Sequence, residues 1–423
     1  MSGGLLAMRT HRRVLTASLV GTAVEFYDFY IYATAASLVL GPLFFPQDSD
    51  QAQLLASYGS MALAFFARPL GAAFFGHYGD RVGRKSTLVA SLLLMGGSTV
   101  LIGLLPTYAT IGVWAPLILC LLRFGQGFGL GGEWGGAALL AVENAPPGWA
   151  ARFGMFPQLG APVGFLAANG LFLILGATLS EQQFIAWGWR IPFIASSVLV
   201  FLGLWVRLKL GETPEFAAAR EAAPPPKVPM ADVFRLHLVP TIAGTLAVVA
   251  CFAIFYIATA FALGYGTKTL GIPREHFLAL QLGAILFMAV GIILAGWWSD
   301  RSSPSHVLAW GCAMGLAVGM VFGPGLGSGE PPAIFGALAA ALFCMGFVYG
   351  PLGAYLTQLF PVQLRYSGSS ATFNLGGILG GALTPIVALE LVDRLGIGWV
   401  GLYLSAASLI SLLGLALARH RRA

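Results

Sequence analysis

Gly76-His77-Tyr78-Gly79-Asp80-Arg81-Val82-Gly83-Arg84-Lys85 separates two apolar runs, at about 54–76 and 87–106. Each run has about the 20 residues needed to cross roughly 30 Å of hydrocarbon as a helix, so the segment between them reads as a loop at a membrane face. Its glycines permit a tight turn and a close helix approach. Arg81, Arg84 and Lys85 form the kind of basic cluster that gathers on the cytoplasmic side, which accounts for the bases but for neither Asp80 nor the glycine spacing. A second reading covers these too: with Gly76 and Gly83 shaping the turn, Asp80, Arg81 and Arg84 cap helix ends and pair across the inner face as a gate.

The same alternation runs through the whole chain. Of its 423 residues 57% are hydrophobic and 9% charged, with a mean hydropathy of +0.81, whereas a soluble domain carries about 25% charged residues. Twelve spans are predicted, at 14–40, 54–76, 87–106, 114–135, 153–176, 190–208, 238–266, 277–298, 306–323, 333–358, 367–392 and 397–418. Between the sixth and seventh lie Gly211-Glu212-Thr213-Pro214-Glu215 and Pro224-Pro225-Pro226, a composition suited to a solvated linker. The expected organisation is an all-α membrane protein: an N-terminal six-helix bundle over 1–208, a cytoplasmic linker over 209–237 and a C-terminal six-helix bundle over 238–423.

With the N-terminus in the cytoplasm, seventeen of the 23 basic residues fall on that side, and only Arg190, Lys268, Arg274 and Arg394 on the other. Both termini are therefore expected to be cytoplasmic. Topology absorbs the net charge of +6 and leaves no basic face for nucleic acid. The basic run ending at Arg12-Arg13 leads into an apolar stretch too long, and too acidic, for a cleavable signal, so the first span is expected to stay in the membrane. Cys120, Cys251, Cys312 and Cys344 lie inside apolar runs without the close pairing of a metal site or a disulfide framework.

The halves echo each other. Gly76 and Asp80-Arg81 recur as Gly296 and Asp300-Arg301, 220 residues on, and Gln158, Gly160 and Gly164 match Asn374, Gly376 and Gly380 at an offset of 216. Repetition at half-chain spacing is expected of transporters built from two parallel bundles with a site between them at the midplane.

The opening segment is similar to the signature loop of the major facilitator superfamily. Within it, further segments resemble the metabolite:proton symporter family: Gly21-Thr22 with Glu25-Phe26-Tyr27-Asp28-Phe29, Ala67-Arg68-Pro69-Leu70-Gly71, and Arg123-Phe124-Gly125-Gln126-Gly127 leading to Gly131-Gly132-Glu133. Phe156-Pro157-Gln158-Leu159-Gly160, Trp189-Arg190-Ile191-Pro192-Phe193, Glu212-Thr213-Pro214-Glu215-Phe216 and Phe360-Pro361 with Arg365-Tyr366-Ser367-Gly368 fit as well. The resemblance covers essentially the whole chain. It implies the major facilitator fold, twelve transmembrane helices in two pseudo-symmetric bundles. The activity it implies is carriage of organic acids such as shikimate, 2-oxoglutarate or citrate, or of zwitterions such as proline and betaine, without specifying which. Osmosensing betaine carriers of the family have a long coiled-coil C-terminal extension, and with the sequence ending at Ala423 an osmosensor is not expected.

Gly127-Phe128-Gly129-Leu130-Gly131-Gly132 formally matches a dinucleotide fingerprint. That fingerprint needs a preceding strand and a helix opening at the glycines, whereas these continue an apolar helix and read better as small-residue packing positions. Walker, H-E-x-x-H and G-x-S-x-G sequences are absent, so an enzyme is not expected, nor are cofactors or metals.

Ionisable residues inside spans cost about 2.5–3.5 kcal/mol each on insertion scales and are functional candidates. At 1.5 Å per residue, Glu25 and Asp28 lie about 16–21 Å into span 1 and Arg123 about 14 Å into span 4, all near the midplane. Glu25 and Asp28, three apart, share a helix stripe with Thr22 and Tyr32. Two readings are open. The trio is either an ion pair locking spans 1 and 4, or a site in which two acids facing one base leave one carboxylate ready to take up a proton. On the second, Asp28 is slightly preferred to Glu25 as proton carrier, with Glu133 next. Arg123, taken as the only base near the midplane, is then free to grip a substrate carboxylate through two hydrogen bonds. Arg68, deeper toward the cytoplasm, snorkels, pairs with Glu133 or, as a third reading, takes a direct part in substrate binding. Gln126, Tyr32, Gln158, Tyr349 and Asn374 complete the expected substrate contacts, and Asp300 and Arg301 repeat the gate. The expectation is a proton-coupled symporter for a small carboxylate or zwitterion in a bacterial inner membrane, acting as a monomer. The alternative is an exporter or antiporter of amphipathic compounds.

Overall fold

The computed structural model describes residues 10–46, 49–82, 84–131, 133–209 and 229–419, and all regular structure among them is helical. Span 1 runs over 12–44, span 2 over Asp50–Val82, span 3 over Arg84–Leu104, span 4 over Trp114–Glu143, span 5 over Ala150–Thr178 and span 6 over Ile191–Lys209. Spans 7 to 12 follow at Leu238–Lys268, Arg274–Ser299, Pro304–Gly327, Pro331–Thr357, Arg365–Leu395 and Gly398–Arg419. The twelve helices form the two six-helix bundles of the major facilitator fold. Among the described residues eight are long and apolar enough to cross a membrane by length and composition alone, and Val89–Leu104 of span 3 and Gly188–Leu204, which includes most of span 6, are shorter apolar helices. Glu25, Asp28 and Arg68 dilute the hydropathy of spans 1 and 2, and their burial explains why these helices still belong to the fold.

One expectation is corrected. Residues 76–82 continue span 2 as helix rather than forming a loop. Gly76 and Gly79 weaken a helix by about 1 kcal/mol each but remove no backbone donor, so its hydrogen-bond ladder runs on. Of the expected linker, residues 210–228 lie outside the described residues, while Pro229–Leu236 is a short helix. Proline at its start, Asp232 in the first turn and Arg235 in the last suit the helix dipole, and Val233 buries against Phe360 and Leu364.

Glycines set the closest helix approaches. A Cβ on Gly127 would lie 2.2 Å from the Ala64 carbonyl oxygen, and one on Gly131 2.0 Å from that of Arg68. Spans 2 and 4 thus touch backbone to backbone, which agrees with packing rather than nucleotide binding. Gly132 lies outside the described residues. The repeated glycines also repeat a contact: Gly160 and Gly164 seat span 5 on Thr22 and Ala23 of span 1, and Gly376 and Gly380 seat span 11 on Thr245, Val248 and Val249 of span 7.

The halves touch at both ends. Toward the end remote from the termini, spans 1 and 7 each contain a π-helical turn, Ala36–Leu40 and Ile257–Phe261. Such a turn loosens the regular ladder and leaves carbonyls for other donors. Ser37 and Tyr58 donate to the Ala260 carbonyl at 2.9 and 2.8 Å, and Gln281 to those of Ala258 and Thr259 at 3.0 and 2.8 Å. Toward the termini, Trp134 of span 4 stacks on Phe373 of span 11 with ring centres 3.6 Å apart.

Candidate functional site

Arg123 is fully buried on span 4. One of its terminal nitrogens donates to the Gln126 side chain one turn on, and Gln126 donates in turn to the Asp28 carbonyl at 3.0 Å and the Thr99 hydroxyl at 2.9 Å. The guanidinium lies 4.3 Å from the ring centre of Phe29 and 4.0 Å from that of Tyr32. Its Nε and Nη2 have no hydrogen-bond partner. Arg68 of span 2, only 5% exposed, stands 4.3 Å from the same Phe29 ring and 4.7 Å from Phe65, and its Nε also has no partner. A desolvated cation–π contact contributes about 2 kcal/mol, while each buried polar group left unpaired costs about 1–3 kcal/mol, more when charged. The aromatic stacking holds both guanidiniums in position without satisfying them, which favours an anion beside them.

Here the expected trio is corrected. Two bases, not one, occupy the centre, and Arg68 neither snorkels nor reaches water. The two acids diverge, because a three-residue step turns the helix through all but about 60° of a circle and climbs about 4.5 Å. Asp28 is fully buried and points into the first bundle, accepting hydrogen bonds from Ser196 of span 6 and, at 3.3 Å, from Thr99 of span 3. Glu25 lies within electrostatic reach of Arg68 and of Tyr349, which belongs to the other half. The side chain of Glu133 lies outside the described residues.

The remaining expected contacts fall into two groups. Tyr32 presents its ring to Arg123 and ties its hydroxyl to Ser60 at 2.6 Å. Toward the termini, Trp134 donates between the Gln158 amide oxygen at 3.3 Å and the Tyr349 hydroxyl at 3.2 Å, while the Gln158 amide nitrogen has no partner. Asn374 reaches across to donate to the Gly131 carbonyl at 3.1 Å. Tyr349 and Asn374 therefore link the halves on one side of the two guanidiniums.

At the end bearing the termini, Asp300 follows span 8 and accepts from the backbone N–H groups of Ala151 and Arg152, at 2.8 and 3.1 Å, capping span 5. It also pairs with the Arg152 guanidinium at 3.3 Å. Burial holds its carboxyl above the usual carboxylate range, and the two N–H donors and Arg152 only partly offset this. Arg301 stands 6.0 Å from the Trp297 ring. In the first-half counterpart, Gly83 and the side chains of Asp80, Arg81 and Arg84 lie outside the described residues, and Gly76 is described only as helical backbone.

Several cross-half residues escaped the sequence reading. Arg152, Trp134 and Phe373 carry no pattern of their own, although the repeated Asp300 was a signal that some helix end needed capping. At the far end Arg274 pairs with Glu181 and stacks 3.9 Å from the Phe184 ring. These sit in connections where sequence spacing says nothing about partners. Arg190, in the Trp189 to Phe193 segment, donates to the Gly103 and Leu105 carbonyls and so caps the end of span 3.

A two-bundle helical fold with charged groups buried between apolar walls and links between its halves at both ends is the architecture of a secondary transporter. Residues 14–223 match the family model described as sugar (and other) transporter. The chain is 48% identical over 421 residues to the inner membrane metabolite transport protein YhjE of Escherichia coli (strain K12), covering 98% of this chain and 96% of that protein. It is 36% identical to the shikimate transporter of the same organism, over 96% of this chain and 94% of the relative. To the proline/betaine transporter of Salmonella typhimurium (strain LT2) it is 31% identical, over 90% of this chain and 78% of the relative. A solved D-xylose-proton symporter shares the fold with a TM-score of 0.72 at 19% identity, covering 96% of each chain. The chain belongs to the metabolite:proton symporter family of the major facilitator superfamily.

Proposed function

We propose that the chain carries a small organic acid across a bacterial inner membrane together with a proton, with Arg123 taking the substrate carboxylate. The observation that carries this is a fully buried guanidinium, pinned by Gln126 and two rings, with two nitrogens lacking a hydrogen-bond partner. The names of the relatives, a shikimate transporter and a proline/betaine transporter, support a substrate bearing a carboxylate. Tyr32, Gln126 and Gln158 position the site, and Tyr349 and Asn374 sense the opposite half.

Glu25 and Asp28 are the coupling acids, with Glu133 next. A coupling acid must feel the halves rearrange. Glu25, within reach of Arg68 and of Tyr349 in the other half, is placed to do so, whereas Asp28 accepts from Ser196 and Thr99 of the first half, and on that ground Glu25 is preferred, which reverses the order read from sequence. Bundles over 1–208 and 238–423, joined by 209–237 with both termini cytoplasmic, move against each other as a monomer. Asp300 with Arg301, and Gly76, Asp80, Arg81, Gly83 and Arg84 in the first half, gate the cytoplasmic end.

Uptake of labelled shikimate and labelled proline into proteoliposomes under an imposed pH gradient tests the reading. Accumulation of either that collapses with a protonophore supports it. Uptake indifferent to the gradient, or gradient-driven efflux of amphipathic dyes instead, overturns it.

A further inference from the structure

We propose that Trp134 is a positioning residue that ties closure of the end bearing the termini to the central site: its ring closes a seam between the halves, and its N–H fixes which atoms Gln158 and Tyr349 present. This rests on the reading of Gln158 and Tyr349 as substrate contacts and adds a residue that no sequence pattern marked.

Spans 4 and 11 meet along an antiparallel seam. Asn374 donates to the Gly131 carbonyl at 3.1 Å, and the Trp134 ring stacks on that of Phe373 with centres 3.6 Å and planes 3° apart. A Cβ on Gly135 would lie 2.1 Å from the Ser370 hydroxyl, and one on Gly136 3.5 Å from the Tyr366 ring. Numbers rise along span 4 as they fall along span 11, and positions 131, 134 and 135 share one helix face. Buried polar groups are ordinarily hydrogen-bonded, yet the Ser370 hydroxyl and the Gln158 amide nitrogen are buried without a partner. A contact that leaves such groups dry and unpaired regains their hydrogen bonds to water when it opens, which suits a seam that parts during transport rather than permanent core.

The indole N–H is the second tie. Tryptophan is a donor only, and this one is shared between the Gln158 amide oxygen at 3.3 Å and the Tyr349 hydroxyl at 3.2 Å, one in each half. Both bonds are longer than the usual ~2.9–3.0 Å of an N–H to oxygen bond, as sharing one proton requires. Held by its oxygen, Gln158 has its amide nitrogen to spare. Tyr349, accepting at its oxygen, keeps its own proton to give, with Glu25 and Arg68 within electrostatic reach and Phe26 of span 1 packed 6.4 Å from its ring. Trp134 thus makes both side chains present donors. A ligand that draws either one away removes an acceptor from Trp134 and loosens the seam.

Inside-out membrane vesicles bearing the full chain carry Ser370→Cys on the seam as reporter, with Ala138→Cys, one turn beyond Trp134 and buried, as a second. Labelling by a membrane-impermeant maleimide, counted over the protein without the reporter cysteine, reads how often the seam opens. Trp134→Phe, which keeps the ring and loses the N–H, should raise the labelling rate about fivefold, the effect of one hydrogen bond, and Trp134→Ala, which loses both, about 20-fold or more. Tyr349→Phe should match Trp134→Phe, and the double variant should label no faster than either single one, because both remove the same bond. Wild-type labelling in Trp134→Phe, or additive effects of Trp134→Phe and Tyr349→Phe, overturns the proposal, as does a Trp134→Ala that melts lower without labelling faster. If Trp134→Ala does not fold, Trp134→Phe and the double variant decide it alone. The labelling needs no substrate, so the two readings fail separately. Non-additive labelling without uptake of shikimate or proline overturns the organic-acid reading and keeps Trp134 in the seam, whereas additive labelling with intact uptake overturns the role of Trp134 alone.

Discussion

The two halves share one helical plan but divide the chemistry unequally. Spans 1 to 6 bury Glu25, Asp28, Arg68 and Arg123, whereas the buried polar side chains of spans 7 to 12 are hydroxyls and amides, such as Thr245, Gln281 and Asn374. Buried charges are costly in a membrane and persist where they act. The first half is thus built to read charge. The second supplies neutral donors and close-packed glycines, suited to a body that moves against the first. Where the halves meet, Trp134 on Phe373 and Asn374 on Gly131 tie the charged half to the neutral one.

The largest expected effect tests whether charge reading resides in the first half. Arg123→Gln should lower kcat/KM for uptake by about 100-fold, roughly 2.7 kcal/mol, and Arg123→Lys should recover only part of it because an ammonium lacks the planar fork. Wild-type apparent affinity in Arg123→Lys would break the comparison at its main point.

Next come the glycines of the two halves. A Cβ on Gly71 would lie 1.9 Å from the Phe128 carbonyl oxygen, whereas on Gly376 the nearest side-chain atom is the Val248 Cβ at 2.6 Å and the nearest backbone atom the Thr245 carbonyl oxygen at 2.9 Å. Gly71→Ala should therefore destabilise by about 2–3 kcal/mol and Gly376→Ala by about 1 kcal/mol, read as the fall in melting temperature of the purified protein. The reverse order would mean that the first half is the more yielding.

Coupling sharpens the comparison within the first half. Glu25→Gln should lower pH-driven accumulation by about tenfold, equivalent to 1.4 kcal/mol, while counterflow, which needs no net proton movement, stays near wild type. Asp28→Asn should do less to the coupling. If both single variants and the double variant still accumulate substrate under a pH gradient, neither acid is the coupling site, and Glu133 is the next to replace.

The smallest effects concern the gate. Asp80→Asn and Asp300→Asn should each raise cysteine labelling from the cytoplasmic cavity by a few-fold, and unchanged labelling would reduce both segments to topology signals. Asp300 also makes a pH prediction. Because its carboxyl is held above the usual range, this fold binds that proton more tightly than the unfolded chain does. The resulting stabilisation is complete below the ordinary carboxylate value and fades as pH rises through the raised one. Acidification from about pH 7 toward 5 should raise the melting temperature of the wild type more than that of Asp300→Asn, by about 1–3 °C. Parallel pH profiles would count against it.

Much of the architecture was legible before any coordinates. Apolar runs of span length have one stable solution in hydrocarbon, a helix with its own backbone bonded, and all twelve predicted runs correspond to observed spans. The repeated Gly160-Gly164 and Gly376-Gly380 pairs announced equivalent contacts, because only glycine lets helices approach so closely. Their residue types also marked Glu25, Asp28, Arg68 and Arg123 as special, since an apolar solvent penalises every buried charge. Partner choice was another matter. The sequence by itself determined which residues carry charge into the membrane, because an apolar run of span length crosses hydrocarbon only as a helix, but not that Arg68 sits at the centre beside Arg123. Only the tertiary structure decided that Asp28 turns to Ser196 while Glu25 lies near Arg68, that Arg68 shares the ring of Phe29 with Arg123, and that Asp300 caps span 5. Those outcomes depend on how helices far apart in sequence rotate and cross, and a rotation of about 60° moves a side chain from one neighbour to another without changing any pattern along the chain.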